Sequence, residues 1–345
     1  MNLSIFDIKT EADFKQQCLD TFRYQYKNIE VYRKFVDFLN ISPNTIDEVE
    51  KIPFLPIEMF KNHKILDRNF STEHYFQSSG TTHIQTRSKH FIADFDLYEK
   101  SIYKSFEQFI GKPEDFIFLG LLPNYSENPH SSLIYMVDFL MKKSGKPENG
   151  YFLHNHHELF ELLQKLEGKK VILFGVSFAL LDFLDFCSSQ NLKISNSQSL
   201  TIIETGGMKG RKEEMTKDKL LKIFEKGFGT ERIFSEYSMT ELLSQAYSLG
   251  ENTYETPNWM RILVRNTEDP FSYVENGRTG AINIIDLANK HSCSFIATQD
   301  LGKILTDFEI PRFARNDNDV FLNPKFQVLG RIDHSDIRGC SLLVS

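Results

Sequence analysis

The chain has 345 residues, 41% of them hydrophobic and 25% charged, with a formal net charge of −7 and 31 phenylalanines. These proportions support a substantial buried core and exclude a disordered chain. The acidic balance argues against a dedicated nucleic-acid binder, yet leaves room for one nucleotide held by a few converging donors.

Four cysteines, Cys18, Cys187, Cys293 and Cys340, are far apart and show no CxxC spacing. Neither a disulfide framework nor a structural zinc site is expected. The opening "MNLSIFDIKTEADF" lacks the basic-then-apolar form of a signal peptide, and no apolar run has the length of a transmembrane segment. A cytoplasmic protein is the expectation.

From Glu11 to Asn40 the apolar and aromatic residues recur at helical spacing, which predicts a helix. Pro53 and Pro56 then hold an extended connection, so residues 1–60 are expected to form an N-terminal helical entry layer. From Phe116 onward short apolar runs alternate with helical patterns. "FIFLGLL", "YFLH", "VILFGV", "LTIIETGG" and "RIFSEYS" predict strands. "SSLIYMVDFLMKKSG", "HELFELLQKLEGK", "SFALLDFLDF" and "TKDKLLKIFEKGFG" predict helices, with Ser177 placed to cap the third. Such alternation implies an α/β fold with a mostly parallel, helix-covered sheet. After Trp259 the pattern turns strand-rich, in "MRILVRN", "TGAINIIDLA", "SFIATQDLGKIL" and "FQVLGRID", and predicts a β-rich subdomain from about residue 259. The core is expected over 61–330, with a hinge-like segment and short tail over 331–345.

Four places carry chemistry. "YFQSSGTTHIQTRSKH" gathers Ser78, Ser79, Gly80, Thr81 and Thr82, whose hydroxyls and backbone N–H groups suit phosphate oxygens; an ordinary turn has the same composition. It lacks the spacing and Gly-Lys-Ser/Thr ending of a Walker A loop. In "IFSEYSMTELLSQAY", Tyr237 is placed to flank a base, Thr240 to bind phosphate and Glu241 to hold Mg²⁺; a helix N-terminus at Thr240 is the plain alternative. In "TIIETGGMKGR", Gly206 and Gly207 follow an apolar strand, where a turn or a close approach to a nucleotide both fit. Asp300, in "ATQDLGKI", offers two acceptor oxygens to ribose hydroxyls.

Taken together and in this order, the motifs resemble those of the adenylate-forming enzymes that include acyl-CoA synthetases. The resemblance is closer to the acyl-protein synthetases of the bacterial bioluminescence system. "SSGTT" resembles their phosphate-binding loop and "YSMTE" their aromatic-x-x-Thr-Glu motif, whose glutamate is associated with magnesium. His83 stands where a glycine commonly follows the threonines, and Gln299 where a glycine commonly precedes the aspartate. "VLGRIDHSDIRG" resembles the hinge before the family's mobile C-terminal domain, with Arg331 a candidate ribose or phosphate donor. Only six residues follow Gly339, so that domain in full is expected to be absent. This fits the shorter acyl-protein synthetases better than an acyl-CoA ligase.

The resemblance implies ATP-dependent activation of a carboxylic acid, most simply a fatty acid, to an acyl-adenylate, with ATP and Mg²⁺ as cofactors. Transfer to a protein cysteine is expected, with Cys340 in "RGCSLLVS" as acceptor. Thr81, Thr240 and Glu241 complete the expected catalytic set. Tyr125, His130 and Ser131, beside an apolar helix, and Gly175 fall where the family lines its acyl pocket. A reductase, acyltransferase or carrier protein is the expected kind of partner. Two other readings stay open: an adenylating subunit that passes its acyl group to CoA or a carrier, and a nonenzymatic nucleotide-binding interaction protein.

Overall fold

The computed structural model describes residues 3–79, 87–123, 126–194, 199–206, 215–306 and 323–332. The chain opens with α1 (Glu11–Asn28) and α2 (Glu30–Phe38). Thr10 begins α1 through a reciprocal capping box with Asp13. The single helix predicted over this stretch is in fact two, because Ile29 is extended (φ −113°, ψ 104°). That break lets Phe22 of α1 and Tyr32 of α2 turn inward together, both fully buried.

Next come β1 (Leu55–Pro56), α3 (Met59–Asn62), the hairpin β2 (Tyr75–Gln77) and β3 (Lys89–Phe91), and α4 (Phe95–Phe109). The predicted alternation follows as β4 (Ile117–Leu121), α5 (Ser132–Ser144), β5 (Gly150–Tyr151), α6 (His156–Lys165), β6 (Val171–Gly175), α7 (Ser177–Ser189), β7 (Leu200–Glu204), α8 (Lys217–Phe228) and β8 (Ile233–Tyr237). The remaining strands are β9 (Ala246–Ser248), β10 (Tyr254–Glu255), β11 (Met260–Arg265), β12 (Gly280–Asp286), β13 (Phe295–Ile304) and β14 (Phe326–Arg331).

β5, β4, β6, β7 and β8 lie side by side and parallel. Every residue of β4, β6 and β7 is buried, as central strands covered on both faces require. Alternation along the strands divides the core. Phe118, Phe174 and Ile203 join the cluster that includes Tyr98 and Phe106 of α4 and Val137 of α5. Leu119, Leu173 and Ile202 join the cluster of α6, α7 and α8.

The strand-rich portion continues the same sheet instead of stacking against it. β9 turns back antiparallel on β8, and hydrogen bonding proceeds through β10, β14, β13 and β12 to β11. Tertiary pairing of this kind has no local signature. The helix considered after Thr240 is replaced by the β8–β9 turn. Ser177 also departs from its expected role: Val176 is the N-cap of α7, with no side-chain cap bond, and the buried Ser177 hydroxyl donates to Glu204.

Candidate active site

Among the described residues, Tyr237, Glu241, Asp300 and Arg331 meet at the carboxyl end of the parallel strand β8, the end at which open α/β sheets place their ligands. β8 delivers Tyr237 and the turn that follows it. β13 and β14 pair with Asp300 opposite Arg331. The Tyr237 hydroxyl donates to Asp300 Oδ2 at 2.8 Å, and Arg331 Nε donates to Asp300 Oδ1 at 3.0 Å. Asp300 is 7% exposed, and its N–H donates to Thr298 Oγ1 at 3.1 Å. Burial and the neighbouring Asp300 carboxylate push the Tyr237 phenol well above its ordinary range, so it remains a neutral donor. An ionised carboxylate oxygen can accept more than one hydrogen bond, and the Arg331 side chain is 60% exposed. The trio therefore presents acceptors and a cation outward.

Glu241 is 4% exposed. Burial raises its pKa, opposed by the Ser88 hydroxyl, by its own backbone N–H and by Arg331, while Asp300 adds to the rise. A carboxylate held this way gains from an arriving positive charge. The turn that carries it is fixed through its backbone. His90 Nδ1 donates to the Thr240 carbonyl at 3.0 Å, and Asn289 Nδ2 donates to the Glu241 carbonyl at 2.7 Å. Asp286 Oδ2 accepts from the N–H groups of Leu243 and Ser244, both at 2.9 Å. His90 is wholly buried and its pKa falls to about 4, because burial outweighs the bond to Thr240. In the neutral ring Nδ1 carries the hydrogen and Nε2 accepts from Ser292 Oγ at 2.8 Å.

This geometry links two motifs distant in sequence. Ser78 and Ser88 face each other across the β2–β3 hairpin, the Ser78 N–H donating to the Ser88 carbonyl and the Ser88 N–H to Ser78 Oγ, both at 3.1 Å. His90 on β3 then ties the hairpin to Thr240, and Ser88 reaches Glu241. Ser78 is partly exposed and Ser79 exposed at the hairpin end. Gly80, Thr81, Thr82, Tyr125, Gly207 and Cys340 lie outside the described residues.

Gly206, just past β7, has φ +80°, a conformation that favours glycine. A Cβ there would meet nothing within 4 Å, so the turn faces open space. Its N–H donates to Glu204 Oε1 at 2.7 Å. Three residues expected to line an acyl pocket have structural partners. His130 stacks on Tyr75 with centroids 4.5 Å apart, and its Nδ1 donates to the Tyr75 carbonyl at 3.1 Å. Ser131 caps α5 by accepting from the Ile134 N–H. At Gly175 a Cβ would stand 2.7 Å from Leu180 Cγ, so close packing of α7 on β6 explains this glycine.

Sequence reasoning missed Ser88, Lys217 and the fixing role of His90. Lys217 lies in "TKDKLLK", which reads as a solvated helix face. His90 stands in a three-residue strand whose alternation marks an inward residue, but its partners are 150 and 202 positions away. Among the described residues no group of three or more His, Cys, Asp and Glu side chains is arranged to hold a metal ion. Nor is any helix among them long and apolar enough to cross a membrane.

Residues 3–92 match the family model described as "Acyl-protein synthetase, LuxE". The chain is 34% identical over 74 residues to the "Long-chain-fatty-acid--luciferin-component ligase" of Photorhabdus luminescens, an alignment covering 21% of this chain and 63% of that relative. The aligned part thus spans less than two thirds of the curated relative's length. Among solved structures, an open conformation of 2-hydroxyisobutyryl-CoA ligase, in complex with 2-HIB-AMP and CoA, superposes with a TM-score of 0.68 at 12% identity, covering 94% of this chain and 70% of that one. ATP-bound MatB from Rhodopseudomonas palustris superposes with a TM-score of 0.53 at 14% identity, covering 74% and 47%. The resemblance drawn from the motifs is borne out in the family signature over residues 3–92 and in the α/β fold shared with 2-hydroxyisobutyryl-CoA ligase and MatB.

Proposed function

We propose that this chain, with an acyl-protein synthetase signature on an adenylate-forming fold, activates a carboxylic acid with ATP and passes the acyl group to a protein thiol. The observation that carries the reading is the convergence of Tyr237 from β8, Glu241 from the turn after it, Asp300 from β13 and Arg331 from β14, with the open Gly206 turn past the neighbouring strand β7. The catalytic unit would be residues 61–330, with 331–345 as the hinge and tail. In the first step a carboxylate oxygen attacks the α-phosphorus of ATP, pyrophosphate leaves, and acyl-AMP remains. An ionised carboxylate needs no general base, so the protein's task is to position two anions and stabilise charge at phosphorus.

Asp300 would accept from the ribose hydroxyls and Arg331 would donate to ribose or phosphate. Tyr237 and Gly206 would flank the base, with Gly207 beside them. Ser78, Ser79, Gly80, Thr81, Thr82 and Thr240 would surround phosphate oxygens. Glu241 is one oxygen donor, and a small hard cation that retains water and phosphate ligands needs only one or two protein carboxylates. Glu241 would therefore hold Mg²⁺, which supplies charge neutralisation to the phosphates when bound.

In the second step a thiolate attacks the acyl carbon, AMP leaves with the bonding pair, and the thiol proton passes to solvent. Cys340 is the proposed acceptor. The other three cysteines are buried, and burial pushes the thiols of Cys187 and Cys293 up to about 11 and about 12, and that of Cys18 higher still. A long-chain fatty acid is the proposed substrate, on the strength of the relative's printed name.

The test is acid-dependent exchange of labelled pyrophosphate into ATP across short, medium and long fatty acids and aryl acids. It is followed by peptide mass spectrometry for a hydroxylamine-labile acyl group. Exchange with a fatty acid and a label on Cys340 are expected. ATP binding without exchange for any acid, in the presence of a partner reductase or carrier, would favour the nonenzymatic reading. A label on Cys18, Cys187 or Cys293 would overturn the acceptor assignment alone.

A further inference from the structure

The last residue of the fully buried strand β7 is a carboxylate. Glu204 is 1% exposed. Its Oε1 accepts from the Gly206 N–H at 2.7 Å and from the Ser177 hydroxyl, and its Oε2 accepts from the Lys217 ammonium at the start of α8. Lys217 also reaches the Tyr254 hydroxyl. The Tyr254 ring stands edge-on to Tyr237, with centroids 6.0 Å apart. A continuous path therefore joins Gly206 at the end of β7 to Tyr237 at the end of β8, through Glu204, Lys217 and Tyr254.

Each end of the path faces the site. Gly206 is held in the left-handed region by its own bond to Glu204, and its carbonyl accepts from the Ser177 N–H at 2.7 Å. Tyr237 is held by Asp300 on its other side. Removing an ammonium and a carboxylate from water costs several kcal/mol per ion, and a well-packed apolar pair of similar volume usually serves stability as well or better. Glu204 is buried and Lys217, 22% exposed, is half-buried; a charged pair drawn into this place calls for a reason beyond stability, and the groups it fixes supply one.

We infer that Lys217 is a positioning residue: paired with Glu204, it sets the separation between the Gly206 turn and the Tyr237 ring at which a purine nucleotide base fits between them. The inference rests on the adenylation reading above and deepens it. Lys217 touches neither substrate nor reacting atoms.

The paired variant Glu204→Gln/Lys217→Met removes both charges together, so it leaves no buried ion without a partner. Its dissociation constant for ATP, measured by calorimetry without an acid present, is expected to rise at least about tenfold. The unfolding midpoint of the ligand-free protein should stay near wild type. In pyrophosphate exchange KM for ATP should rise while KM for the acid stays within about twofold. Lys217→Arg keeps the charge and should recover most of the ATP affinity.

An unchanged ATP dissociation constant in the folded paired variant overturns the inference and leaves adenylation standing. Equal losses toward ATP and acid also overturn it, since they would report general loosening. Wild-type protein that fails to bind ATP overturns the functional reading itself. Should the paired variant not fold, Tyr254→Phe decides the matter. It keeps the ring beside Tyr237, removes only the hydroxyl that Lys217 reaches, and should still weaken ATP binding; unchanged binding there overturns the inference.

Discussion

Replacing His90 by asparagine tests whether the Thr240–Glu241 turn hangs on a neutral, buried imidazole. Asparagine can still donate to the Thr240 carbonyl, but it loses the acceptor for Ser292 and leaves space beside Phe60, whose ring meets His90 edge-on at 5.6 Å. The fixed cost should be about 1–3 kcal/mol. The informative part is the pH dependence. His90 moves from 6.5 in the unfolded chain to about 4 in the folded one. For a histidine whose folded pKa is depressed, the unfolded chain takes up the proton first. The associated stability is complete above pH 6.5 and is lost as pH falls toward 4. At pH 5, some 1.5 units below the unfolded value, the loss is about 2 kcal/mol. Two buried acids act in the opposite sense, since burial raises Glu236 to about 7 and Asp286 to about 6. The wild-type profile alone therefore mixes signs, and only its difference from the variant isolates His90. Trp259, the single tryptophan of the chain, is 3% exposed and donates to Ser244 Oγ at 2.9 Å, which makes its fluorescence a local reporter for urea unfolding. The wild-type advantage over His90→Asn should shrink by about 2 kcal/mol between pH 8 and pH 5. A gap that stays constant across that range would refute the assignment of a neutral buried ring.

Glu236→Gln should remove the cost of ionising a buried carboxylate whose Oε1 has no hydrogen-bond partner among the described residues. That cost grows as pH rises from 4.5 through 7, so the variant should gain up to about 3 kcal/mol at pH 8 relative to its standing at pH 4.5, read from urea midpoints. Gly175→Ala should destabilise by about 1–3 kcal/mol through contact with Leu180, and the added change Leu180→Ala should relieve the overlap; a cost that persists unchanged in the double variant would refute the packing account. Glu241→Gln keeps size and removes charge, so a variant with normal circular dichroism should lose most pyrophosphate exchange, and near-normal kinetics would sink the metal assignment. In the native protein iodoacetamide should spare Cys18, Cys187 and Cys293 and modify them only after unfolding; rapid native labelling of any of the three would contradict their burial.

Much of the central α/β unit was legible because its signals are local. The runs of β4, β6 and β7 are apolar but for the buried Thr201 until Glu204, and the intervening helices announce themselves by period and by terminal residues such as Ser131. The resemblance of spaced motifs also directed attention to Tyr237, Glu241, Asp300 and Arg331, although short motifs cannot say how their members meet. The single helix predicted over Glu11–Asn40 failed at Ile29, because apolar period continues across a break that only the packing of Phe22 and Tyr32 explains. Ser177 was assigned to a cap on local grounds, while its hydroxyl answers a carboxylate 27 residues away.

What the sequence by itself determined is therefore the order of strands and helices, the buried stripes that drive the sheet together, and the chemical types available at strand ends. The tertiary structure alone decided which of those groups share a space. Tyr237 and Asp300 are 63 residues apart, His90 and Thr240 are 150 apart, and the β8–β9 reversal joins the parallel unit to the strands that read as a β-rich subdomain. The physical reason is range. Periodicity and capping act over a few residues, whereas a buried hydrogen bond needs a partner at about 3 Å wherever the chain can deliver one.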